Sequence, residues 1–170
     1  PCDDAGTPVV DRALMAFLSK AKAVHQRADI AESDGDVPTA IAALSGLMDD
    51  ESVRARTARI EVREVLADTA ARLAGLLIGQ GELTGAEKRL RRALSWVPER
   101  DLYRGRLMEM LGACNEAVWK KRKQQGRHKE AAEAKREALE ALKEAIAIQD
   151  DVLKRLLPPA AGKGGTRPAR

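Results

Sequence analysis

The stretch GQGELTGAEKRL, residues 79–90, decides the fold, because two other places in the chain repeat its pattern. The related stretches are SDGDVPTAIAAL, residues 33–44, and QQGRHKEAAEAK, residues 124–135. Each contains a glycine that is followed five residues later by an alanine. The glycines, Gly35, Gly81 and Gly126, are separated by 46 and 45 residues. A near-constant interval of this size is typical of repeat proteins.

Each of these glycines follows one amphipathic run and precedes another, which is the pattern of a residue that ends a helix just before the next one begins. Three helix-start signals accompany them: Thr7 before Pro8, a capping box of Thr84 with Glu87, and Asp101. The sequence therefore predicts three helical hairpins, built from helices over 8–34, 37–49, 53–79, 85–97, 102–125 and 128–156.

The composition favours an all-α protein. Apolar residues make up 44% of the 170 residues but aromatic residues only 2%, so the core must be built from alanine, leucine, valine and isoleucine. Almost no run alternates apolar and polar residues, as a half-buried strand requires. We expect a flexible lead over 1–7, one helical domain over 8–156, and a flexible tail rich in proline and glycine over 157–170.

The middle unit resembles a tetratricopeptide repeat (TPR). The resemblance rests on the large and small packing residues Leu73, Ala74, Leu77, Gly81, Ala86, Leu90, Ala93 and Pro98. A weaker set carries it in the first unit: Ala28, Ala31, Gly35, Ala40, Ile41, Leu44 and Leu47. The third unit departs from it, with Trp119 in place of alanine and with Lys123 and Lys135 at usually apolar positions.

The resemblance implies a TPR-like α-solenoid of six helices, in which three hairpins stack and a peptide or protein binds along the surface. The interval is 11 or 12 residues longer than the 34 of the family. Because eleven residues are close to three helical turns, such an extension returns the buried stripe to nearly the same face. Other α-solenoid repeats of this length and a closed six-helix bundle remain alternatives.

The stretch WKKRKQQGRHKE, residues 119–130, concentrates basic side chains around Gly126. One hypothesis is phosphate binding by Lys120, Lys121, Arg122, Lys123, Arg127, His128 and Lys129. The alternative, which we favour, is that cations in a last helical turn interact with the helix dipole and that Gly126 caps the helix. Across the chain 26 acidic residues accompany 30 basic ones, whereas a nucleic-acid surface usually lacks interleaved carboxylates.

The predicted function is that of a non-enzymatic scaffold or adaptor for protein–protein interaction. The residues predicted to line its partner surface are Arg63, Asp68, Arg72, Lys88, Arg104 and Asn115. No catalytic residues, metal ligands or cofactor are predicted, because no nucleophile, base and orienting acid can be combined. One alternative is a basic nucleic-acid-binding helical domain that uses residues 120–129 together with Arg89, Arg91 and Arg92.

A second alternative is a bacterial envelope assembly lipoprotein tethered through Cys2. The start PCDDAG resembles a lipoprotein after signal removal, although Pro1 before the cysteine departs from that pattern. No apolar run approaches the roughly 20 residues that span a bilayer, so a membrane attachment would use a lipid. We expect the cell envelope or periplasm if the chain is a processed form, and the cytoplasm otherwise.

The last predicted helix carries two stripes of different character. One is acidic: Glu133, Glu137, Glu140 and Glu144. The other is apolar, mostly at spacings of three and four: Leu139, Leu142, Ile146, Leu153 and Leu156. The apolar stripe fits packing on the neighbouring hairpin or on another chain. We expect it to pack within the chain.

Overall fold

The computed structural model describes residues 11–54, 57–99 and 101–157, and only the backbone of Ser52 and Arg54. It contains helices α1 (Arg12–Ser33), α2 (Val37–Asp49), α3 (Glu51–Arg54), α4 (Ile60–Gly79), α5 (Leu83–Leu94), α6 (Leu102–Gln124) and α7 (His128–Leu156). The described ranges hold no strand, which confirms the all-α prediction. The predicted lead, the start signal at Thr7 and all of the predicted tail except Leu157 lie outside these ranges.

The three glycines occupy the same left-handed turn. Their φ angles are 76°, 77° and 72° at Gly35, Gly81 and Gly126, a region that glycine enters without steric cost. At Gly81 the amide donates to the carbonyl of Ile78 at 2.9 Å, and the amide of Glu82 donates to that of Leu77 at 2.9 Å. The same two bonds recur around the other two glycines, so all three turns are Schellman motifs.

The residue after each glycine is the N-cap of the next helix: Asp36, Glu82 and Arg127. The capping box predicted at Thr84 is therefore wrong, because the turn starts α5 at Leu83 and leaves Thr84 inside the helix. The N-cap predicted at Asp101 is confirmed, since its carboxylate accepts from the amide of Tyr103 at 2.8 Å.

The predicted helix over 53–79 is divided. The one-turn helix α3 follows α2 directly, and α4 begins only at Ile60. Val53 explains the interruption, because its side chain is buried in the core before the chain turns toward the second hairpin. The segment thus connects two hairpins instead of lengthening one.

The buried residues repeat with the glycines. In the first two units, the residue seven positions before the glycine is a fully buried alanine, Ala28 or Ala74. The residue nine positions after it is a fully buried leucine, Leu44 or Leu90. The third unit differs at these two places, where Trp119 is half-buried and Lys135 is exposed. Alanine lies buried five residues after all three glycines, at Ala40, Ala86 and Ala131. These small side chains allow the two helices of each hairpin to approach closely.

Contacts between helices connect neighbouring hairpins. Helices α1 with α2, α4 with α5, and α6 with α7 form the hairpins, and α4 contacts both helices of the first hairpin. Helix α6 in turn contacts both α4 and α5. Each described hairpin therefore packs on the one that follows it in sequence.

The seam between α6 and α7 is the most extensive of these contacts. From α7 it buries a row at spacings of three and four: Ala131, Ala134, Ala138, Ala141, Ala145 and Ile148. From α6 it uses glycine, since a Cβ added at Gly112 would lie 2.6 Å from Cγ of Leu142. The helices are thus too close here for any side chain on α6 larger than hydrogen.

The second row on α7, Leu139, Leu142, Ile146, Leu153 and Leu156, is called the apolar row below. The expectation that it packs within the chain is wrong for four of the five, which are exposed, and holds for Leu142, which is half-buried against Gly112 of α6. The alanine row faces α6 in its place. Gly105 and Gly112 leave room in this seam for Ile148 and Leu142, while alanines fill the rest of it.

Replacing Gly81 by alanine is expected to lower the free energy of unfolding by about 1–2 kcal/mol, the cost of a left-handed L-residue. No atom lies within 4 Å of the added Cβ, so the effect is purely conformational. The matched control is Gly79→Ala, which has the same open surroundings but helical backbone, and is expected to be neutral or stabilising. Urea denaturation measures both, and equal effects would contradict the assignment.

Replacing Gly112 by alanine is expected to cost about 1–3 kcal/mol of stability, because the new methyl group overlaps Leu142. Gly75→Ala is the control, since its Cβ would meet only Met110 Cε at an ordinary 3.5 Å. The cost should shrink when Leu142 is also changed to alanine, which a double-mutant cycle measures. Additive effects would show that the two residues do not meet.

Candidate functional site

A cavity of about 470 Å³ lies between α5, α6 and α7, and is called the α5–α6–α7 cavity below. Helices α5 and α7 both pack on α6 but do not pack extensively on each other, so a wedge remains between them. Ten of the twelve lining residues are polar or charged, and Leu83 and Val118 are the two apolar ones. The volume falls in the range of ligand-binding sites.

Asn115 is the buried polar residue of this cavity. It lies on the face of α6 that lines the cavity and is only 4% exposed. Its side chain makes no hydrogen bond to any described residue. The preceding residue, Cys114, is also buried, and its thiol donates to the carbonyl of Leu83 at 3.4 Å. Among the described residues the only side-chain nitrogen or oxygen that is fully enclosed without a partner is Nε of Arg63, so the amide of Asn115 opens into the cavity.

Both signs of charge surround the amide. Arg91, Lys121, Arg122 and Arg127 contribute cations, and Glu87, Glu133 and Glu137 contribute carboxylates. Some of these charges are already paired, for Arg91 donates to Glu87 at 2.8 Å. Lys121 has no carboxylate partner among the described residues. The cavity thus offers unpaired hydrogen-bonding groups in a nearly charge-balanced setting.

The basic stretch predicted from the sequence is divided by the structure. Arg122 and Arg127 both approach Glu130, with Arg127 Nε donating at 2.8 Å, and this pairing holds the pKa of that carboxyl below its usual range. Lys120 pairs with Glu116 at 2.7 Å. The exposed residues His128 and Lys129 do not line the cavity, whereas Lys121, Arg122 and Arg127 do.

Trp119 holds two further cations. Nζ of Lys123 lies 5.8 Å and Nζ of Lys135 5.5 Å from the centroid of its ring, within the range of cation–π attraction. The three side chains therefore stabilise the turn end of the α6–α7 hairpin. They occupy the positions at which the third unit differs from the first two, with two ammonium groups beside an aromatic ring in place of small or apolar residues.

The six residues predicted to line a partner surface are not brought together. Asn115 lines the cavity, while Arg72 and Asp68 lie on the side of α4 that faces α1 and α6. Arg72 pairs with Glu32 and with Asp29, the latter at 2.6 Å.

The others are scattered among different contacts. Asp68 pairs with Arg106, and Arg104 donates to Glu144 at 3.3 Å and to the carbonyl of Leu94 at 3.4 Å. Lys88 is exposed, and Nε of Arg63 is buried without a hydrogen-bond partner. Five of the six thus serve ion pairs or lie apart from the cavity.

The cations assigned to the nucleic-acid alternative also carry partners. Arg89 binds the carboxylate of Asp49 through two bonds of 2.6 Å, and Arg92 approaches the same group at 3.4 Å. These pairs join the end of α2 to α5 and close the space between them. Arg91 is held by Glu87.

A polar pair that sequence reasoning missed joins α1 to α4. Nε2 of His25 lies 2.9 Å from the hydroxyl of Thr69, which itself donates to the carbonyl of Val65 at 2.7 Å. The hydroxyl proton is therefore used, so Nε2 of His25 is the donor. Burial lowers the pKa of His25, although Asp68 opposes this shift. The two residues are 44 positions apart, and no local pattern indicates the contact.

A lowered pKa of His25 means that the unfolded chain binds a proton more readily than the folded one near the usual pKa of 6.5. The free energy of unfolding should therefore fall as pH drops through that value. His25→Gln, which retains a donor for Thr69, should reduce this pH dependence. Urea denaturation between pH 5.5 and 7.5, about one unit to either side of the usual value, measures the difference. Identical slopes for the two proteins would contradict the assignment.

Several kinds of site have no support among the described residues. No three or more His, Cys, Asp or Glu side chains in 11–54, 57–99 and 101–157 are arranged to hold a metal ion. Burial raises the pKa of Cys114 to about 11, which leaves its thiol protonated. The search of the same ranges finds no helix with the length and hydrophobicity to cross a membrane. Cys2 lies outside them, and its lipid attachment stays a prediction.

Comparison of the chain with protein-family models, with curated proteins and with solved structures found no match. The resemblance to TPR proteins therefore stays a prediction from the sequence.

Proposed function

We propose that this protein is a non-enzymatic, TPR-like scaffold that binds an extended peptide segment of a partner protein in the α5–α6–α7 cavity. The observation that carries the proposal is the amide of Asn115, which opens into the cavity from an otherwise buried residue and is bound by no described residue. A carboxamide offers two donors and an acceptor, which match the carbonyl and N–H of a peptide bond. A bound backbone would hydrogen-bond to the amide in place of water.

The charges of the cavity favour a peptide over a nucleic acid. Glu87, Glu133 and Glu137 would oppose a phosphate backbone inside the cavity, whereas a peptide presents dipoles and side chains of either sign. The pairing of Arg122 and Arg127 with Glu130 further reduces the positive charge available to phosphates.

The repeated turns and alanine contacts support the scaffold part of the proposal. Three hairpins that pack in sequence on one another keep the spacing of their surface side chains fixed, which lowers the entropic cost of ordering a ligand. The protonated thiol of Cys114 is no activated nucleophile, in keeping with a binding function without catalysis.

Panning a library of random peptides against the whole chain tests the proposal, with affinities of enriched peptides measured by fluorescence anisotropy. Asn115→Leu should weaken binding at least about tenfold, because the amide and its hydrogen bonds are lost. The same change should leave the free energy of unfolding equal or higher, since Asn115 has no partner to lose. Peptide affinity then falls while the free energy of unfolding does not.

Gln26→Leu is the matched control, because it removes an exposed amide from α1, which lies away from the cavity. It should leave peptide binding unchanged. Peptides that bind both variants equally, or the absence of any enriched peptide, would contradict the proposal. Binding of an arbitrary duplex that collapses between low and moderate salt would favour the nucleic-acid alternative instead.

A further inference from the structure

The apolar row on α7 is an unpartnered surface of unusual regularity. Of the nine large hydrophobic side chains exposed in the described residues, five lie between Leu139 and Leu157. Leu139, Ile146 and Leu153 follow one another at seven-residue intervals and are 49%, 65% and 55% exposed. Single exposed apolar residues are ordinary, but a continuous patch marks an interaction site.

The spacing of the row is that of a two-stranded coiled coil. Leu142, Gln149 and Leu156 each follow a member of the seven-residue series by three residues, so the row alternates steps of three and four, with Gln149 as its one polar position. Near its C-terminal end it widens, because Leu102 of α6 lies beside Val152 and Leu156. The alanine row holds α6 together with Leu142, which packs on Gly112, so the exposed members Leu139, Ile146, Leu153 and Leu156 remain for another helix.

Charge along the row's edge selects the partner and its direction. Arg136 and Lys143 lie beside the N-terminal half of the row, and Asp150 lies beside its C-terminal half. Arg136 also approaches Glu133 and Glu140, and Asp150 also pairs with Lys154 at 2.5 Å, but exposed pairs within one helix are weak and leave these charges available to a partner. In a parallel pair of identical helices, like charges would lie at the same level. In an antiparallel pair centred near Ile146, Lys143 of each copy lies opposite Asp150 of the other, and opposite charges attract.

We propose that the apolar row pairs with the same row of a second copy of this chain, in antiparallel orientation about a two-fold axis near Ile146. The surface shares no residue with the α5–α6–α7 cavity, so the dimer is independent of peptide binding. The row is about 25 Å long at 1.5 Å per residue. A contact of this length and one helix wide is smaller than a standard interface, so the dimer is weak and forms as concentration rises.

Sedimentation equilibrium of the whole chain from about 5 to about 500 μM tests the proposal by mass action. The average mass should rise from 18.4 kDa toward twice that value. Ile146→Gln should weaken association at least about tenfold, because it places a polar group at the centre of the seam. Circular dichroism checks that the helical content is unchanged, as expected for a 65% exposed position.

Ile30→Gln is the matched control, because Ile30 on α1 has the same side chain and is 64% exposed. It should leave association unchanged. A chain that stays monomeric throughout, or a dimer that Ile146→Gln does not weaken, overturns the proposal, and the apolar row then belongs to a different partner. A dimer weakened equally by both variants also overturns it, since α1 would then take part.

Orientation is tested by cross-linking in a Cys2→Ser background. Ile146→Cys should form a disulfide-linked dimer under mild oxidation, because the two-fold axis brings the two copies of this residue together. Leu156→Cys should not, because antiparallel packing separates the two copies by roughly 30 Å. Cross-linking through position 156 and not through position 146 would overturn the antiparallel arrangement.

Discussion

The close approach of paired helices across alanine and glycine is the constraint on which the structure depends. At Gly112 no side chain larger than hydrogen fits beside Leu142, and at Ala28, Ala40, Ala74 and Ala86 a methyl group is completely buried. Dispersion forces decay steeply with distance, so helices at this separation gain contacts along their whole length. The left-handed glycine turns make the approach possible, because each reverses the chain within two residues.

The same constraint explains why charged residues connect the hairpins. A seam of alanines buries little apolar area per residue and therefore contributes little stability on its own. Longer charged side chains at the edges of the seams add further contacts between one hairpin and the next. Asp49 with Arg89 and Arg72 with Glu32 are such connections, and both lie at the ends or sides of buried seams. Because their charged groups remain partly exposed, each contributes modestly to stability but fixes how neighbouring helices are aligned.

The candidate site arises where this edge packing stops. Between α2 and α5, Asp49 and two arginines close the space, whereas no comparable group closes the space between α5 and α7. The wedge that remains is lined by Asn115 and by charges of both signs. Beside this seam on α7, Leu142 of the apolar row packs against Gly112, whereas Leu139, Ile146, Leu153 and Leu156 stay exposed because the alanine row faces α6.

The sequence by itself determined the local structure. The three glycines, the alanines five residues later and the cap at Asp101 are effects of backbone conformation and helical period, which act over a few residues. Position along the chain also predicted which alanines and leucines are buried in the first two units. Only the tertiary structure decided which row of α7 faces α6, that α4 begins at Ile60, and that His25 meets Thr69. It also decided that Asn115 lies buried beside a cavity while Arg72 and Asp68 serve ion pairs elsewhere. These outcomes depend on the distances between helices that are remote in sequence, and no local pattern encodes those distances.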